Sequence, residues 1–378
     1  MNSQMVRIRG IDSLLFRDGR PFGAEIGSLS ARTLSCPYPA TVTGFVRTFL
    51  GNRMLIDWNR REDILRVLAI AVYGPLLERN GDAVFHAPAD ALITGTPKEP
   101  SVFALRPWPD LPEHAGCDLP KHLVPLRVDT DEKPVKGYEY WDGASLMRWL
   151  ESADGSGFTP PQPVGKMEVE QRTHVAIDDE KGVSAESLLY SVEYLSFERY
   201  RWGKNGSRER WALLARLEGD EDLSLARGVG LLGGEKRLAL LEPAEDSCWP
   251  TCSETLRRAL SQSQRVRMFL ATPAIFEGGW KPGWLNGKLE GSPPCASGVQ
   301  LRLIGAAVKR REAVSGWSYR KDRQQPKPLR LLAPAGSVYF FEVLEGDPAV
   351  LADAWLRPVS DDEHDRRDGY GLVLWGIW

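Results

Sequence analysis

A glycine-rich stretch with two cations directly behind it is the clearest candidate for ligand binding in this sequence. It comprises Gly228, Gly230, Gly233, Gly234, Lys236 and Arg237. Because glycine has no Cβ, such a loop can turn through positive φ and present several backbone N–H groups to one ligand. Amides in a concave turn suit an anion, and the adjacent cations suit a phosphate. The spacing matches neither of the nucleotide-binding glycine motifs, and a flexible surface hairpin is the alternative interpretation.

Three arginines in the N-terminal part are further candidates for phosphate contact. Arg17 and Arg20 stand in a turn that follows an apolar strand pattern. Arg47 lies off the apolar stripe of a predicted helix, from which it could reach a phosphate or an acidic partner. In the alternative interpretation of the turn, Asp18 pairs with one of the two arginines and only stabilises the local structure.

Two basic stretches contain aromatic residues suited to stacking on RNA bases. One is the predicted hairpin tip Arg199–Arg210, which has Tyr200 and Trp202 among its cations. The other, Lys309–Arg330, contains eight Lys or Arg against two acidic residues and includes Trp317. A solvated surface and core aromatic residues are the alternatives to RNA contact.

Catalytic and metal-binding patterns are weak. His174 is the one histidine suited to general acid or base chemistry, because strand alternation places it on the same face as Arg172; a structural histidine is the more frequent case. Cys248 and Cys252 supply only two of the four ligands that zinc needs. Five cysteines are an odd count in a long chain, so disulfides are not expected. We predict no catalytic residue, no metal and no cofactor.

Length and composition indicate a soluble globular protein of two domains. The 378 residues exceed what one core usually serves, and no signal pattern or long apolar run predicts export or membrane contact, which leaves a cytoplasmic location. The net charge of −3 argues against a freestanding nucleic-acid binder. Charge is nevertheless uneven, since residues 342–368 contain nine Asp or Glu against three Arg. A basic face beside an acidic one fits a subunit that contacts RNA on one side and protein on the other.

The elements that would position these residues follow an α+β pattern. Val6–Phe16 and Arg172–Asp178 are predicted strands. Pro39 marks the start of a helix that continues to Leu50, and a second amphipathic helix is predicted over 63–77. Residues 97–165 hold eleven of the 27 prolines, which indicates an insertion that packs on a neighbour.

In the second half, 187–197 and 211–217 are predicted to form the arms of one long hairpin. The order of the remaining elements resembles a split βαβ, ferredoxin-like unit. We therefore predict an N-terminal domain over 1–168 with the proline-rich insertion at about 97–165. A C-terminal domain over 169–378 would carry the glycine-rich loop and the basic insertion.

Segments spread over the whole chain match one known family in their order and spacing. They are Leu15–Phe22, Pro37–Arg47, Arg172–Asp178, Leu188–Tyr190, Leu232–Arg237, Val314–Tyr319, Gly336–Phe341 and Gly369–Val373. In these segments the sequence resembles the RAMP superfamily, and within it the third-subunit family of the type III-B CRISPR effector, the Cmr complex. The glycine loop departs from the compact pattern of that family because Leu231 and Leu232 split it.

The resemblance implies two ferredoxin-like (RRM-type) domains, tight association with the large polymerase–cyclase-like subunit and contact with a backbone RAMP subunit. It also implies recognition of the repeat-derived 5′ handle of CRISPR RNA by a non-catalytic subunit that bridges those two partners. The residues expected to bind RNA are Arg17, Arg20, Arg47, Gly228, Gly230, Gly233, Gly234, Lys236, Arg237 and Trp317. The alternative function is a RAMP-type, metal-independent endoribonuclease that processes CRISPR repeat RNA and uses His174.

Overall fold

The computed structural model describes residues 2–20, 29–96, 98–178, 180–201, 207–320 and 323–378, with the backbone alone for 185–188, 201, 207, 317–320 and 323–324. The first part of the chain forms β1 (Asn2–Gly10), β2 (Ser30–Ala31), α1 (Pro39–Arg53), α2 (Arg61–Ala69), β3 (Ala71–Arg79), β4 (Asp82–His86), β5 (Ala91–Gly95), β6 (Pro100–Ala104), β7 (Arg106–Pro107), β8 (Leu126–Arg127), β9 (Tyr140–Asp142) and α3 (Gly143–Glu151). The middle part forms β10 (Glu168–Ile177), β11 (Ser184–Ser196), β12 (Glu198–Arg201), β13 (Ser207–Gly219), β14 (Gly228–Leu231) and β15 (Leu238–Pro243). The last part forms α4 (Glu254–Gln262), β16 (Arg265–Leu270), β17 (Glu290–Gly291), β18 (Val299–Ala307), β19 (Glu312–Val314), β20 (Trp317–Arg320), β21 (Arg323–Pro326), β22 (Arg330–Leu332), β23 (Val338–Gly346), α5 (Val350–Asp353), α6 (Glu363–Arg367) and β24 (Val373–Ile377).

An antiparallel sheet in the order β14-β15-β1-β13-β3-β4-β9 supports the first core. Helix α1 lies on one face of this sheet, where Val42, Phe45, Val46 and Leu50 are buried. These are the apolar positions that recur at spacings of three and four in the sequence, so the first predicted helix is confirmed.

The second predicted helix is wrong in its C-terminal half. Helix α2 ends at Ala69, and the chain continues as β3 between β13 and β4. Val72, Leu76 and Leu77 are buried in that strand. Pairing with two neighbouring strands outweighs the helical spacing of these side chains, because propensity is a weak determinant beside tertiary packing.

A second antiparallel sheet in the order β17-β18-β23-β16-β24 supports the other core. Phe269, Phe341 and Trp375 are completely buried there. This core continues to Met5 and Leu214 on the face of the first sheet that α1 leaves uncovered. The two sheets therefore share apolar packing across their junction.

Strands from both sides of residue 168 belong to the first sheet. β1 pairs with β13 and with β15, and β13 pairs in turn with β3. A domain boundary at 168/169 would separate strands that are hydrogen-bonded to one another. The helices and mostly antiparallel sheets confirm the predicted α+β class.

The long hairpin is wrong as predicted, because its two arms pair with different partners. β11 pairs with β10 along most of its length, whereas β13 enters the first sheet. Only the end of the hairpin is present as predicted, with Glu198–Arg201 paired to Ser207–Arg210. The predicted stacking residue Trp202 lies outside the described residues.

The proline-rich insertion packs on the second sheet. The backbone N–H of Val124 donates to the carbonyl of Ile304 in β18 at 2.9 Å. The side chain of Leu126 lies over Gly305 of the same strand, at 3.1 Å from where a Cβ would stand. The insertion therefore covers part of a sheet that follows it in the chain.

A buried ion cluster joins the same region to the second sheet. Asp90 and Arg267 are fully buried, and the Nη1 of Arg267 lies 2.6 Å from the Oδ2 of Asp90. Arg106 contacts the same carboxylate oxygen at 3.1 Å. The ring of Trp149 lies 5.2 and 5.4 Å from the two guanidinium carbons, and its indole N–H donates to Asp90 at 2.9 Å. Every charge in the cluster has a partner of opposite sign or a ring face.

Candidate nucleic-acid interface

One open groove of about 920 Å³ brings together four segments that are far apart in the sequence. We call it the junction groove. Its walls are Leu15–Gly19, the start of α1 from Tyr38 to Gly44, the pair Gly233-Gly234, and parts of 313–330 together with Tyr370. Parts of the arginine turn, the glycine-rich loop and the basic stretch, which the sequence singled out for RNA contact, therefore meet at one surface.

The arginine turn forms one wall of the junction groove. The segment is fixed by backbone bonds to a facing strand, for example from the N–H of Asp18 to the carbonyl of Arg32 at 3.1 Å. Arg17 is exposed and lines the groove, and its Nη2 donates to the carbonyl of Arg20 at 3.0 Å. Arg20 pairs with Asp18 at 3.2 Å but remains 64 % exposed. Asp18 thus stabilises the turn, and both guanidinium groups stay near the surface.

The first two predicted glycines have a packing role. Gly228 and Gly230 lie in the edge strand β14, which pairs with β15. A Cβ at Gly230 would approach the ring of Phe45 to 2.8 Å, and one at Gly228 would collide with the ring of Phe49. The absence of side chains at these positions lets α1 pack on the sheet, which is a role that the sequence did not predict for them.

The other two glycines connect the loop to the arginine turn. Gly233 has a φ of 80°, and a Cβ there would collide with the carbonyl oxygen of Leu15. The N–H of Gly234 donates to that same oxygen at 2.8 Å. The amide of Gly234 is therefore already bonded within the chain. Both glycines still line the groove, and they fix the position of the turn that carries Arg17.

The two cations that follow the glycines in the sequence lie in different surroundings. Lys236 is exposed in a left-handed conformation, with a φ of 53°. Arg237 is only 18 % exposed and lies over the ring of Tyr194, 4.3 Å from its centroid, while it pairs with Glu235 at 3.1 Å. Lys236 therefore remains a candidate for phosphate contact, whereas Arg237 already has a ring and a carboxylate as partners.

Arg47, which the sequence predicts to contact RNA, has a structural role in the fold. It is 9 % exposed, and its Nε and Nη2 donate to the carbonyl of Ile70 at 3.0 and 2.7 Å. Its Nη1 lies 2.6 Å from the carboxylate of Asp368. Burial lowers the pKa of Arg47, and Asp368 opposes this effect. Through these bonds the side chain connects the end of α2 to the segment before β24. Its buried N–H groups need such partners, because an unpaired polar group in the interior is costly.

The entrance of α1 lies along the junction groove. Pro39 occupies the first turn, and no side chain caps the helix. Gly44 has open space where a Cβ would stand, so a ligand could approach the helix backbone there. The buried hydroxyl of Tyr370 lies beside the amide of Ala40, and burial raises the pKa of that hydroxyl. The sequence indicated this entrance but gave no role to Tyr370.

The basic insertion supplies the opposite wall. Lys327 is exposed and lines the groove. Arg330 also lines it and is paired with Asp365 at 2.7 Å. The predicted stacking residue Trp317 begins β20, and its side chain lies outside the described part. Sequence reasoning found this basic stretch through its charge but did not single out Lys327.

Lys309, at the start of the same stretch, is turned inward. Its Nζ donates to the carbonyl of Ala87 at 2.7 Å. Burial lowers the pKa of Lys309 to about 8, and Glu312 opposes this effect. One of the eight cations of the basic stretch therefore contacts another part of the chain and does not line the groove.

His174 belongs to a polar cluster behind the glycine loop. Its Nε2 lies 3.2 Å from the hydroxyl of Tyr194, which donates to Glu235 at 2.6 Å. The imidazole also stacks on the ring of Tyr190, with centroids 5.2 Å apart. The guanidinium of Arg172 lies over Tyr194 at 4.9 Å. These contacts provide a structural role for His174.

The part of the chain that the structure describes contains neither a cluster of metal ligands nor a helix able to span a membrane. Within it, no three His, Cys, Asp or Glu side chains are close enough to hold a metal ion. None of its helices combines the length and the apolar character that crossing a bilayer requires.

Comparison with protein-family models shows to which family the chain belongs. The model of the CRISPR-associated protein family Cas_Cmr3 matches residues 6–378. The chain belongs to this family. The RAMP resemblance is confirmed, and the chain is a Cmr3-like subunit of the type III-B Cmr group.

Solved structures of similar fold come from type III-B complexes. A chain from the cryo-EM structure of type III-B Cmr-beta bound to cognate target RNA and AMPPnP is 16% identical, with a TM-score of 0.52 over 98% of this chain and 96% of that one. A chain from the complex with cognate target RNA has the same identity and coverage and a TM-score of 0.51. At this identity the likeness concerns the fold. No curated protein matches the chain.

Proposed function

We propose that this Cmr3-family chain is the non-catalytic RNA-binding subunit of its effector and that it binds the 5′ handle of CRISPR RNA in the junction groove. The observation that supports this most directly is the convergence of Arg17, the entrance of α1 and Lys327 on one open surface. Single-stranded RNA has phosphates for the cations and unstacked bases for the recesses between them. The net charge of the chain is negative, so this local concentration of cations would determine where the RNA binds.

We also propose that the fold consists of two ferredoxin-like domains, with a division later in the chain than 168/169. The support is the order of the core strands, β15-β1-β13-β3 in the first sheet and β24-β16-β23-β18 in the second. Counted along the chain, both orders are fourth-first-third-second with antiparallel neighbours, as in a ferredoxin-like unit. The division that fits both sheets lies between β15 and β16.

Bridging of the large polymerase–cyclase-like subunit and a backbone RAMP subunit is part of the same proposal. The end of the β10–β11 hairpin supports a protein contact, because Val175, Ile177, Val183 and Leu189 are 42 to 62 % exposed. Val175 and Leu189 are directly opposite each other in the hairpin. Neighbouring exposed aliphatic side chains are typical of surfaces that a partner covers. Leu189→Lys should reduce co-purification of a neighbouring subunit and leave RNA affinity unchanged; unaltered co-purification would count against this contact.

RNA affinity of the full-length chain tests the main proposal. The double variant Arg17→Ala/Lys327→Ala should bind handle RNA, of the sequence recovered from the native complex, about tenfold or more weakly. The slope of log affinity against log salt should fall by about 1.4, since each lost phosphate contact on a single strand contributes about 0.7. Arg60→Ala/Lys288→Ala is the matched control, because both of those side chains are exposed and lie outside the groove lining. Equal losses in the two double variants would contradict the proposal.

A further inference from the structure

A second, more enclosed cavity adjoins the junction groove. We call it the seam cavity, because its walls come from β3 and β4 of the first sheet, from Ala271–Pro273 and Ala335 beside the second sheet, and from the segment Leu34–Pro39. Its volume is about 270 Å³. Pockets for drug-sized ligands are usually roughly 300–1,000 Å³, so the occupant of this one would be compact.

The seam cavity and the groove share a wall. Leu34 and Tyr38 line both spaces. In strand β19, Glu312 faces the cavity while Ala313 and Val314 line the groove. The hydroxyl of Tyr38 donates to the carboxylate of Glu312 at 3.3 Å. A group that projects from an RNA strand bound in the groove would therefore enter the cavity beside these two side chains.

The chemistry of the walls fits a flat heterocycle with polar edges. Pro37, Pro75 and Phe85 provide apolar surface. His86 also lines the cavity, and burial lowers its pKa to about 3, so that it is a neutral donor and acceptor at neutral pH. Glu312 offers carboxylate oxygens, which are acceptors and bind N–H groups.

We propose that the seam cavity holds one unstacked nucleobase of the bound RNA and that Glu312 selects a base with an exocyclic amino group. Such an amino group donates to the carboxylate in place of the Tyr38 hydroxyl. Uracil presents a carbonyl oxygen at the corresponding edge, so two acceptors would face each other without a hydrogen bond. This inference rests on the proposed function, because the RNA must already lie in the junction groove.

Cytosine and uracil provide the sharpest test, since they differ at position 4 by an amino group and a carbonyl. The probes are fluorescein-labelled oligouridine 12-mers with a uridine, a cytidine or an adenosine at the centre, and the readout is the anisotropy of the full-length chain with each RNA. The wild type should bind the cytidine- and adenosine-containing probes about tenfold more tightly than the all-uridine probe. Glu312→Gln should reduce that preference to within about twofold, because an amide both donates and accepts. The affinity for the all-uridine probe should therefore rise toward that of the other two probes, because the amide N–H of Gln donates to the uracil carbonyl.

Two further variants separate the possible outcomes. Glu345→Gln is the matched control, since this glutamate is exposed in β23 and does not line the cavity; it should keep the full preference. Ala335→Leu fills the cavity and should abolish the preference by an independent route, and Glu312→Gln alone decides the matter if the filled protein does not fold. Equal affinity of the wild type for all three probes, with the effect of Arg17→Ala/Lys327→Ala intact, would overturn the base pocket and leave the groove proposal standing. No effect of the Arg17→Ala/Lys327→Ala variant on any probe would instead overturn the proposed function.

Discussion

The arginines at the junction of the two sheets and the cations of the junction groove are the same residue types in opposite situations. Arg267 is completely buried, and both Arg267 and Arg106 contact Asp90. Arg17 and Lys327 are exposed on an open surface. A buried guanidinium stays charged because its partners are fixed around it, whereas an exposed cation remains accessible to a ligand from solution. Charge in a sequence therefore locates a ligand surface only when burial is known.

The largest effect should come from removing the carboxylate of the buried cluster. Asp90→Ala leaves the buried guanidinium of Arg267 and the partly exposed one of Arg106 without their anion. We expect a loss of about 3–5 kcal/mol in the free energy of unfolding, measured by denaturant titration. Asp353→Ala removes an exposed partner of Arg257 and should have little effect on the same measurement. A small loss for Asp90→Ala would mean that the cluster does not hold the insertion on the second sheet.

Arg47 sharpens the comparison, because the sequence placed it with the RNA-binding residues and the structure places it with the buried ones. Arg47→Met keeps the length of the side chain but leaves the carbonyl of Ile70 without its donor. We expect a loss of about 1–3 kcal/mol in the free energy of unfolding and unchanged RNA affinity of the folded protein. Weaker RNA binding without a loss of stability would instead indicate that Arg47 contacts RNA.

Acid should destabilise the junction of the sheets more than the open groove. The pKa of His86 is lowered to about 3 in the folded state by burial, whereas in the unfolded chain it stays near 6.5. Between these two values the unfolded chain binds more protons, so the contribution of His86 to stability is lost as the pH falls from about 6.5 toward 3. The loss is at most about 1.4 kcal/mol for each pH unit. His86→Gln should flatten this part of the pH profile; an identical profile would contradict the assignment.

The smallest effect is expected at His174. His174→Ala removes the contact with Tyr194 but no residue of the groove. RNA affinity should change by less than about twofold, and RNA incubated with the wild type should remain uncut. Cleavage by the purified wild type that disappears in His174→Ala would favour the endoribonuclease alternative.

Local pattern predicted the elements that depend on local spacing. The apolar stripe of α1 and the first half of the predicted strand Val6–Phe16 were visible because their core positions recur or alternate within a few residues. The observed strand β1 ends at Gly10, so the second half of that prediction was wrong. The second helix was extended too far because β3 depends on pairing with β13, more than 130 positions later in the chain. Long-range pairing of this kind leaves no local signature.

The candidate site was predicted in its parts but not in its arrangement. The arginine turn and the basic stretch were each recognisable from composition. The packing role of Gly228 and Gly230 was not predicted, because they accommodate rings from α1 that no local pattern could place beside them. Tyr38 and Glu312, which separate the groove from the seam cavity, are 274 residues apart in sequence. Only the folded chain brings them into contact.

Photo-crosslinking of RNA to the native complex, followed by mass spectrometry of the attached peptides, tests the central claim most directly. A second arginine-lined face gives the measurement a clear alternative, since Arg9, Arg208 and Arg210 line two adjoining recesses on the first sheet. If the RNA handle lies in the junction groove, the crosslinked peptides should contain residues 15–19, 38–44 or 313–330. Crosslinks confined to peptides that carry Arg9, Arg208 or Arg210 would contradict the account.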